Sequence, residues 1–424
     1  MLFSITPAFA QSGANSSFSP YSIYGIGDLY TQGTAHSRSM GGVGIASRDV
    51  RHINLLNPAA VSARDTLSIL ADIGLANDNR IYKQGDLKSA NNTLNINNFA
   101  FSFPIWNKTA MLLYLAPFSS VGYYYSYTVN DPSLIGKTGF INNYSSGSGS
   151  IYQLSAALGT ELWKRLSVGV QLNYYFGNLT KANYLYFNET DFRSITSGYT
   201  LSMHAVGAKV GVQYEQPIGD KKLIVGATYR TKAKMKGYIT DFQYGSISSL
   251  TDTLKNVIDT VGTSRGLNIP SEIGIGISFK KPDKWALEFN YTRSDWSNSN
   301  YDNVAGFSNS STVKFSSTST QSFRAGFEYI PNRNDVRYYL RNCTYRLGTY
   351  YDTAYYKLDG NKINSYGVTF GVTFPVYRWY NGLTVGVDLG KRGSKTGVMT
   401  EETYAGIFVG FNIHDLWFIK HRYE

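Results

Sequence analysis

Short runs along the chain alternate apolar with small or polar residues, one for one. Ile273, Ile275, Ile277 and Phe279 interleave with Gly274, Gly276 and Ser278. Val368, Phe370, Val372 and Phe374 interleave with Thr369, Gly371 and Thr373, and Leu383, Val385, Val387 and Leu389 with Thr384, Gly386, Asp388 and Gly390. Ile407, Val409, Phe411 and Ile413 repeat the pattern with Gly406, Phe408, Gly410 and Asn412. A period of two puts successive side chains on opposite faces of a strand, and helical spacing does not produce it. Fourteen such runs centre near residues 71, 100, 114, 155, 171, 208, 227, 276, 288, 325, 346, 370, 386 and 408.

The gaps between these runs alternate in length. Breaks after the even runs are tight: Trp106 to Lys108, Trp163 to Arg165, Pro217 to Lys221, Lys281 to Lys284, Pro331 to Val336 and Tyr377 to Asn381. Most breaks after the odd runs are longer and polar, near 80–94, 130–148, 188–195, 240–267, 295–316, 354–362 and 391–401. An all-β chain with this double alternation predicts a 14-stranded antiparallel transmembrane β-barrel, with apolar side chains toward lipid and short turns on the periplasmic side. An even strand count places both termini there. A soluble β-sandwich, the competing all-β reading, does not account for the alternating gap lengths.

Composition adds girdles and removes other classes. The chain has 424 residues with 35 Tyr and 23 Phe, many of them expected at the two membrane interfaces. No run of about 18 apolar residues exists, so no transmembrane helix is predicted. The net charge of +11 and an isoelectric point near 9.3 raise nucleic acid as a partner, but the basic residues are dispersed, which fits anionic headgroups instead. The single Cys343 precludes an intrachain disulfide. His36, His52, His204, His414 and His421 lack metal-ligand spacing, so no metal, cofactor or catalytic group is expected.

Domain boundaries follow. Leu2 to Phe9 is apolar and Ala8-Phe9-Ala10 precedes Gln11, so residues 1–10 read as a residual signal-peptide tail that lacks its basic start. Residues 65–413 form the barrel and 414–424 a periplasmic C-terminal tail. Residues 11–64 contain no convincing strand, yet Ile23, Ile26, Met40, Val43, Ile45, Leu55 and Leu56 favour burial. This segment reads as a hatch or plug in the lumen, with a periplasmic linker as the alternative. Gly41, Gly42 and Gly44 invite a phosphate-loop reading, which fails because no strand precedes them.

The glycine-rich lead-in, Asn57-Pro58-Ala59 before the first strand, and fourteen strands together resemble the FadL-type transporters of long-chain fatty acids and other hydrophobic compounds. Gly147-Ser148-Gly149-Ser150 with Gln153-Leu154, and Leu166-Ser167-Val168-Gly169-Val170, resemble that family's fourth and fifth strands. The resemblance implies an N-terminal hatch, ligand capture among the outer loops and lateral release through a gap in the barrel wall. The basic tail after Asn412 departs from the terminal aromatic residue usual in such barrels.

Three candidate features bear on that scheme. Pro117 interrupts the third strand and marks either a wall opening or a bulge near the rim. In loop 240–267, Leu250, Leu254, Val257, Ile258 and Val261 follow helical spacing, with Ser248 or Ser249 as cap and Gly262 as stop. That helix, with Leu134, Ile135, Phe140 and Ile141, forms an acyl groove, a simple loop packing or a docking surface. Inward charges at Glu161, Lys209, Glu215, Arg230, Glu288, Arg324, Glu328, Arg346 and Asp388 brace the lumen, and Arg230, Arg324 or Arg346 could hold a ligand carboxylate. Expected partners are outer-membrane lipid, a hydrophobic small molecule and other outer-membrane proteins, not nucleic acid. Passive uptake of hydrophobic compounds is the leading function; a non-transporting scaffold for protein export or assembly is the alternative.

Overall fold

The computed structural model describes residues 18–64, 67–129, 132–133, 139–188, 192–247, 250–255, 261–262, 266–303, 309–310, 313–335, 337–377, 381–395, 397 and 399–416. Fourteen antiparallel strands close into a barrel. They are β1 (Ser68–Gln84), β2 (Leu87–Trp106), β3 (Thr109–Ser120, continued by Tyr123–Val129), β4 (Ile141–Trp163), β5 (Leu166–Phe187), β6 (Ser194–Ile218) and β7 (Lys221–Arg230, continued by Ala233–Ile247). The second half comprises β8 (Glu272–Lys281), β9 (Trp285–Asp295), β10 (Ser319–Tyr329), β11 (Thr344–Leu358), β12 (Asn361–Tyr377), β13 (Asn381–Arg392) and β14 (Glu401–Leu416). Pairing of β1 with β14, from Ser68↔Leu416 to Lys83↔Glu401, closes the cylinder. All fourteen strand centres read from the alternation fall within these strands.

The outward face carries the apolar half of the pattern. Leu154, Leu158, Leu172, Val206, Ile273, Ile275, Val368, Phe370, Ile407 and Phe411 are exposed, as lipid-facing side chains are. Trp106 and Trp163 lie at the short turns, and Tyr152, Tyr229, Tyr351 and Tyr366 nearer the other end. Eleven positions separate Trp163 from Tyr152, which for tilted strands is roughly 28 Å, the height of an apolar belt with its girdles. Strands β4 to β6 continue well past Tyr152, so part of the wall stands beyond the membrane. The link from β10 to β11 is longer than the sequence pattern indicated, because it holds a short helix at Tyr339–Asn342, preceded by Asp335 accepting from the backbone N–H groups of Arg337 and Tyr338.

Loop 240–267 differs from the predicted helix. Leu250 to Lys255 is a strand paired with Gln243 to Ile247, and Val261–Gly262 pairs with Tyr238–Ile239. The open edge of β7 offers a ready ladder, and Thr251 and Thr253 favour extended backbone, so over Leu250 to Lys255 pairing overrides the helical spacing of five apolar residues. Val257, Ile258, Ser248, Ser249, Leu134 and Ile135 lie outside the described residues.

Residues 18–64, the inner segment, run inside the barrel from the long-loop end to the short-turn end. Ser19 N–H donates to the Gly122 carbonyl, 2.8 Å, at the long-loop end. Residue 18, the first described, thus lies at the opposite end of the barrel from Leu416, and the chain's own N-terminus falls outside the described residues. Contrary to the strandless reading, Asp28–Leu29 forms a short strand against Ser119–Ser120. A helix α1 (Ala35–Ser39) follows, and a 3₁₀ turn at Pro58–Ser62 ends the segment. Asn57 caps that turn: its side chain accepts from Ala59 N–H at 3.0 Å while its amide donates to the Ile45 carbonyl at 2.7 Å.

Inward glycines of the strands make room for this segment. A Cβ at Gly348 would collide with the backbone of Met40 and Gly41, one at Gly226 with Ile45, and one at Gly169 with Pro58 and Ala59. The small half of the alternation is thus a docking track for backbone against backbone. Gly348→Val is expected to lower the stability of the folded barrel by ~1–3 kcal/mol through overpacking. Heat-modified gel mobility checks this: a wild-type transition temperature in a correctly inserted variant would contradict the close approach.

Candidate functional site

The lumen is built in three tiers. At the long-loop end, a core of buried apolar residues roofs it. Leu179, Leu201, Met203 and Ile239 on the inner faces of β5 to β7 pack with Tyr21 and Ile26 of the inner segment and with Trp296, Tyr301, Tyr355 and Tyr356. Trp296 and Tyr355 rings lie 4.7 Å apart, and Tyr355 meets Tyr356 edge-on at 4.9 Å. Polar ends are satisfied by the inner segment: Tyr356 Oη donates to the Tyr21 carbonyl at 2.7 Å, and Tyr355 Oη to that of Gly27 at 2.9 Å. Burying each such side chain contributes roughly 1.5–3 kcal/mol. The roof is a packed core, not a mouth.

Beneath it lies a cavity of about 370 Å³. Its lining includes Asp28, Arg38, Asp78, Arg80, Lys209, Arg230, Glu272, Arg324, Asp352, Asp388 and Arg392, with Tyr114, Phe118, Trp296 and Tyr350 among them. Most of these charges are paired. Arg230 meets Glu272 at 3.2 Å, and Arg324 meets Asp352 at 2.7 Å while its other nitrogen donates to the Gly41 carbonyl at 2.9 Å. Of the three arginine candidates, Arg230 and Arg324 face this cavity. Arg346 is elsewhere, fully buried and committed to Glu328 at 2.8 Å and to Thr373.

Ionic brackets tie the inner segment to the wall at both ends. Asp28 pairs with Arg392 at 2.7 Å, and Arg80 reaches Glu402 at 3.3 Å and Asp28 at 3.8 Å; Ser19 donates to Glu402. At the short-turn end Arg48 lies between Glu161 of β4 (3.5 Å) and Glu215 of β6 (3.7 Å), and Arg51 meets Asp283 at 3.0 Å. Arg80 and Glu402 escaped the sequence reading. The signal was present, since Asp78 and Arg80 alternate with Asn77, Asn79 and Ile81 on the inward parity, but which charge meets which is settled only across the lumen.

Among the described residues, the wall has a seam between β2 and β3. The β2–β3 ladder runs from Trp106↔Thr109 only as far as Phe99↔Leu115. Pro117 lies just beyond, at a register shift against β4. From Ala116 to Tyr123 the chain is buried on both faces, and Ser119 and Ser120 pair with the inner segment instead of β2. Gln32 Nε2 donates to the Pro117 carbonyl at 2.8 Å, Tyr30 N–H to that of Phe118 at 2.9 Å, and Asn97 Nδ2 of β2 to that of Gly33 at 3.0 Å. The inner segment therefore stitches the seam from within. Phe140 is exposed at the long-loop end, and the backbone at Leu250 and Leu254 belongs to the added strand described above.

His36 in α1 stacks near His52, ring centroids 4.2 Å apart, and His52 lies 3.3 Å from Asp49. Burial foremost, then Arg346 and His52, hold the His36 imidazole well below the usual histidine range; Asp49 opposes this and Lys280 adds to it.

A family model described as BamG matches residues 1–424. No curated protein matches the chain. Among solved structures, the chain is similar to a Pseudomonas aeruginosa FadL homologue, with 13% identity, TM-score 0.58, 92% of this chain and 99% of that chain covered. The Pseudomonas putida toluene transporter TodX gives 12% identity and TM-score 0.57 over 93% and 100% of the two chains. The Ralstonia pickettii toluene transporter TbuX gives 13% and 0.56 over 90% and 98%. At these identities the likeness establishes a FadL-type barrel fold.

Two outcomes test the tiers. Glu402→Gln removes the shared anion of Arg80 and Arg392 and is expected to cost about 3–5 kcal/mol, measured by urea unfolding of the refolded barrel; a loss below 1 kcal/mol would show that the bracket is not holding. For His36, a pKa lowered on folding gives stability that is full above ~6.5 and lost as pH falls. Protection factors of the amides of residues 35–52, taken relative to the intrinsic exchange rate at each pH, are therefore expected to fall between pH 7 and pH 5, and His36→Gln to flatten that fall.

Proposed function

The chain belongs to the BamG family, and on that footing we propose that it is an outer-membrane barrel with a sealed lumen that serves as a structural partner subunit in a protein export or assembly complex. The observation that carries this reading is the roof. Among the described residues, an apolar core packs across the long-loop end, most charges around the cavity below are paired, and residues 18–64 are bracketed to the wall at both ends. Among the described residues, charged side chains ring the cavity and interrupt an apolar path through the lumen, and breaking the brackets leaves buried charges uncompensated. Long strands rising past the membrane supply surface for partners instead.

A second reading is favoured by the seam at Pro117. Hydrophobic compounds, fatty acids among them, would enter beside the inner segment and leave laterally between β2 and β3 with the short turns and C-terminus periplasmic. Support comes from the ladder that ends at Phe99↔Leu115 and from structural neighbours titled as toluene transporters and a FadL homologue.

One paired experiment separates the two. Proteoliposomes carrying the purified barrel are expected to take up labelled toluene and palmitate no faster than empty vesicles, while gentle extraction from native membranes followed by native mass spectrometry yields a stoichiometric complex with further protein chains. Saturable uptake that is abolished by Gln32→Ala, together with recovery as a lone chain, would overturn the scaffold reading in favour of transport.

A further inference from the structure

The outer face of the wall beyond the membrane carries an unusual surface. Register pairs run without a shift through β4 and β5 from Ile141↔Phe187 to Glu161↔Ser167, so the parity that exposes Tyr152, Leu154, Leu172 and Tyr174 to lipid continues upward to Tyr144 and Tyr184. Pairs Ser126↔Tyr144, Tyr184↔Thr196 and Thr196↔Tyr244 carry the same face across β3 to β7. Every outward position within 124–128, 142–148, 178–186, 196–202 and 238–244 is Tyr, Phe, Ser, Thr, Asn, Ala or Gly. None is charged, in a chain with 16% charged residues. The β1–β2 hairpin at the same end, by contrast, carries Lys83, Asp86 and Lys88.

Four of the tyrosines form one array. Tyr124 lies 6.2 Å from Tyr144, Tyr144 stacks on Tyr184 at 6.0 Å, and Tyr184 lies 6.3 Å from Tyr186. Tyr124, Tyr186 and Tyr238 are exposed. Tyr144 is eight positions beyond Tyr152 of the girdle, roughly 20 Å past the belt along a tilted strand, so lipid tails do not cover this face. Freely solvated sheet faces are normally charged, whereas aromatic enrichment with loss of Lys, Glu and Asp marks the core of protein interfaces. Tyr with Ser, Gly and Asn is also the composition of antibody paratopes. Five strands at ~4.8 Å spacing and about seven residues in height give roughly 550 Å² in projection before side-chain relief, the scale of the ~800 Å² that each partner buries in a stable complex.

We infer that this charge-free aromatic face on β3 to β7 docks a second protein embedded in the same membrane, whose part beyond the bilayer is likewise poor in charge. The face is continuous with the lipid-facing belt directly below it, so its occupant stands alongside the barrel. This assignment rests on the partner-subunit reading and specifies where that partner sits.

The test uses the full chain in its native membrane. Photoactivatable p-benzoylphenylalanine replaces Tyr144 or Tyr184, and Leu94 on the exposed face of β2 as control. Tyr144→Asp and Tyr184→Asp are made in parallel, with heat-modified gel mobility confirming a folded barrel. Expected are crosslinks from both tyrosine positions to one and the same membrane protein, none to it from position 94, and at least a tenfold loss of the native complex in the double Asp variant. A complex that survives in the folded double variant overturns the docking face while leaving the partner-subunit reading intact. Absence of any complex in the wild type overturns both. Crosslinks to a second copy of this chain, or to polysaccharide alone, overturn the assigned occupant.

Discussion

Backbone hydrogen bonds in lipid have no water to fall back on, and this constraint organises the whole molecule. Each unpaired N–H or carbonyl inside the bilayer costs several kcal/mol, so a sheet there must close on itself. β1 meets β14 over its full length and satisfies the demand almost everywhere. Where the β2–β3 ladder stops at Phe99↔Leu115, the demand passes to the inner segment. Asp28–Leu29, Tyr30 and Gln32 take up the groups that β2 no longer pairs. The barrel is complete only with its own N-terminal residues inside it.

That dependence explains why the inward half of the alternation is so small. A segment of irregular backbone inside a barrel needs close contact on all sides and must not leave its own polar groups dry. Glycines at 169, 226 and 348 let it approach the wall, while Asn57, Ser39 and the bracket residues Arg48, Asp28 and Glu402 satisfy what that approach buries. The charges in the lumen are therefore best understood as fittings of the segment. Arg324 is of this kind, holding Asp352 and the Gly41 carbonyl at once, whereas Arg346 ties wall strand to wall strand through Glu328 and Thr373.

The same wall serves two media. On β3 to β7 the outward parity below Tyr152 is rich in Leu, Val, Ile and Phe against lipid; above, it changes to Tyr, Ser and Thr with no charge. The inner parity changes at the same height, from glycine facing the inner segment to Leu179, Leu201 and Met203 facing the roof. A strand reads its environment twice, once on each face, and both transitions occur where the wall leaves the membrane.

Period-two alternation and gap length by themselves determined the strand number, the strand centres, the lipid-facing residues and nearly all the short turns, because these depend on neighbours one or two positions apart and on which face meets lipid. Pro117 was legible as a singular point for the same local reason, since proline lacks the ladder donor. The roof, the brackets and the seam were decided only by the tertiary structure. Ser19 and Glu402 are 383 positions apart, and no local period relates Tyr355 to Gly27 or Arg48 to Glu161. Loop 240–267 shows the limit most directly: its helical spacing was real in sequence, yet the free edge of β7 offered hydrogen bonds that an isolated surface helix of that length does not match. Local pattern sets what a segment can be, and the open ladder beside it decides what it is.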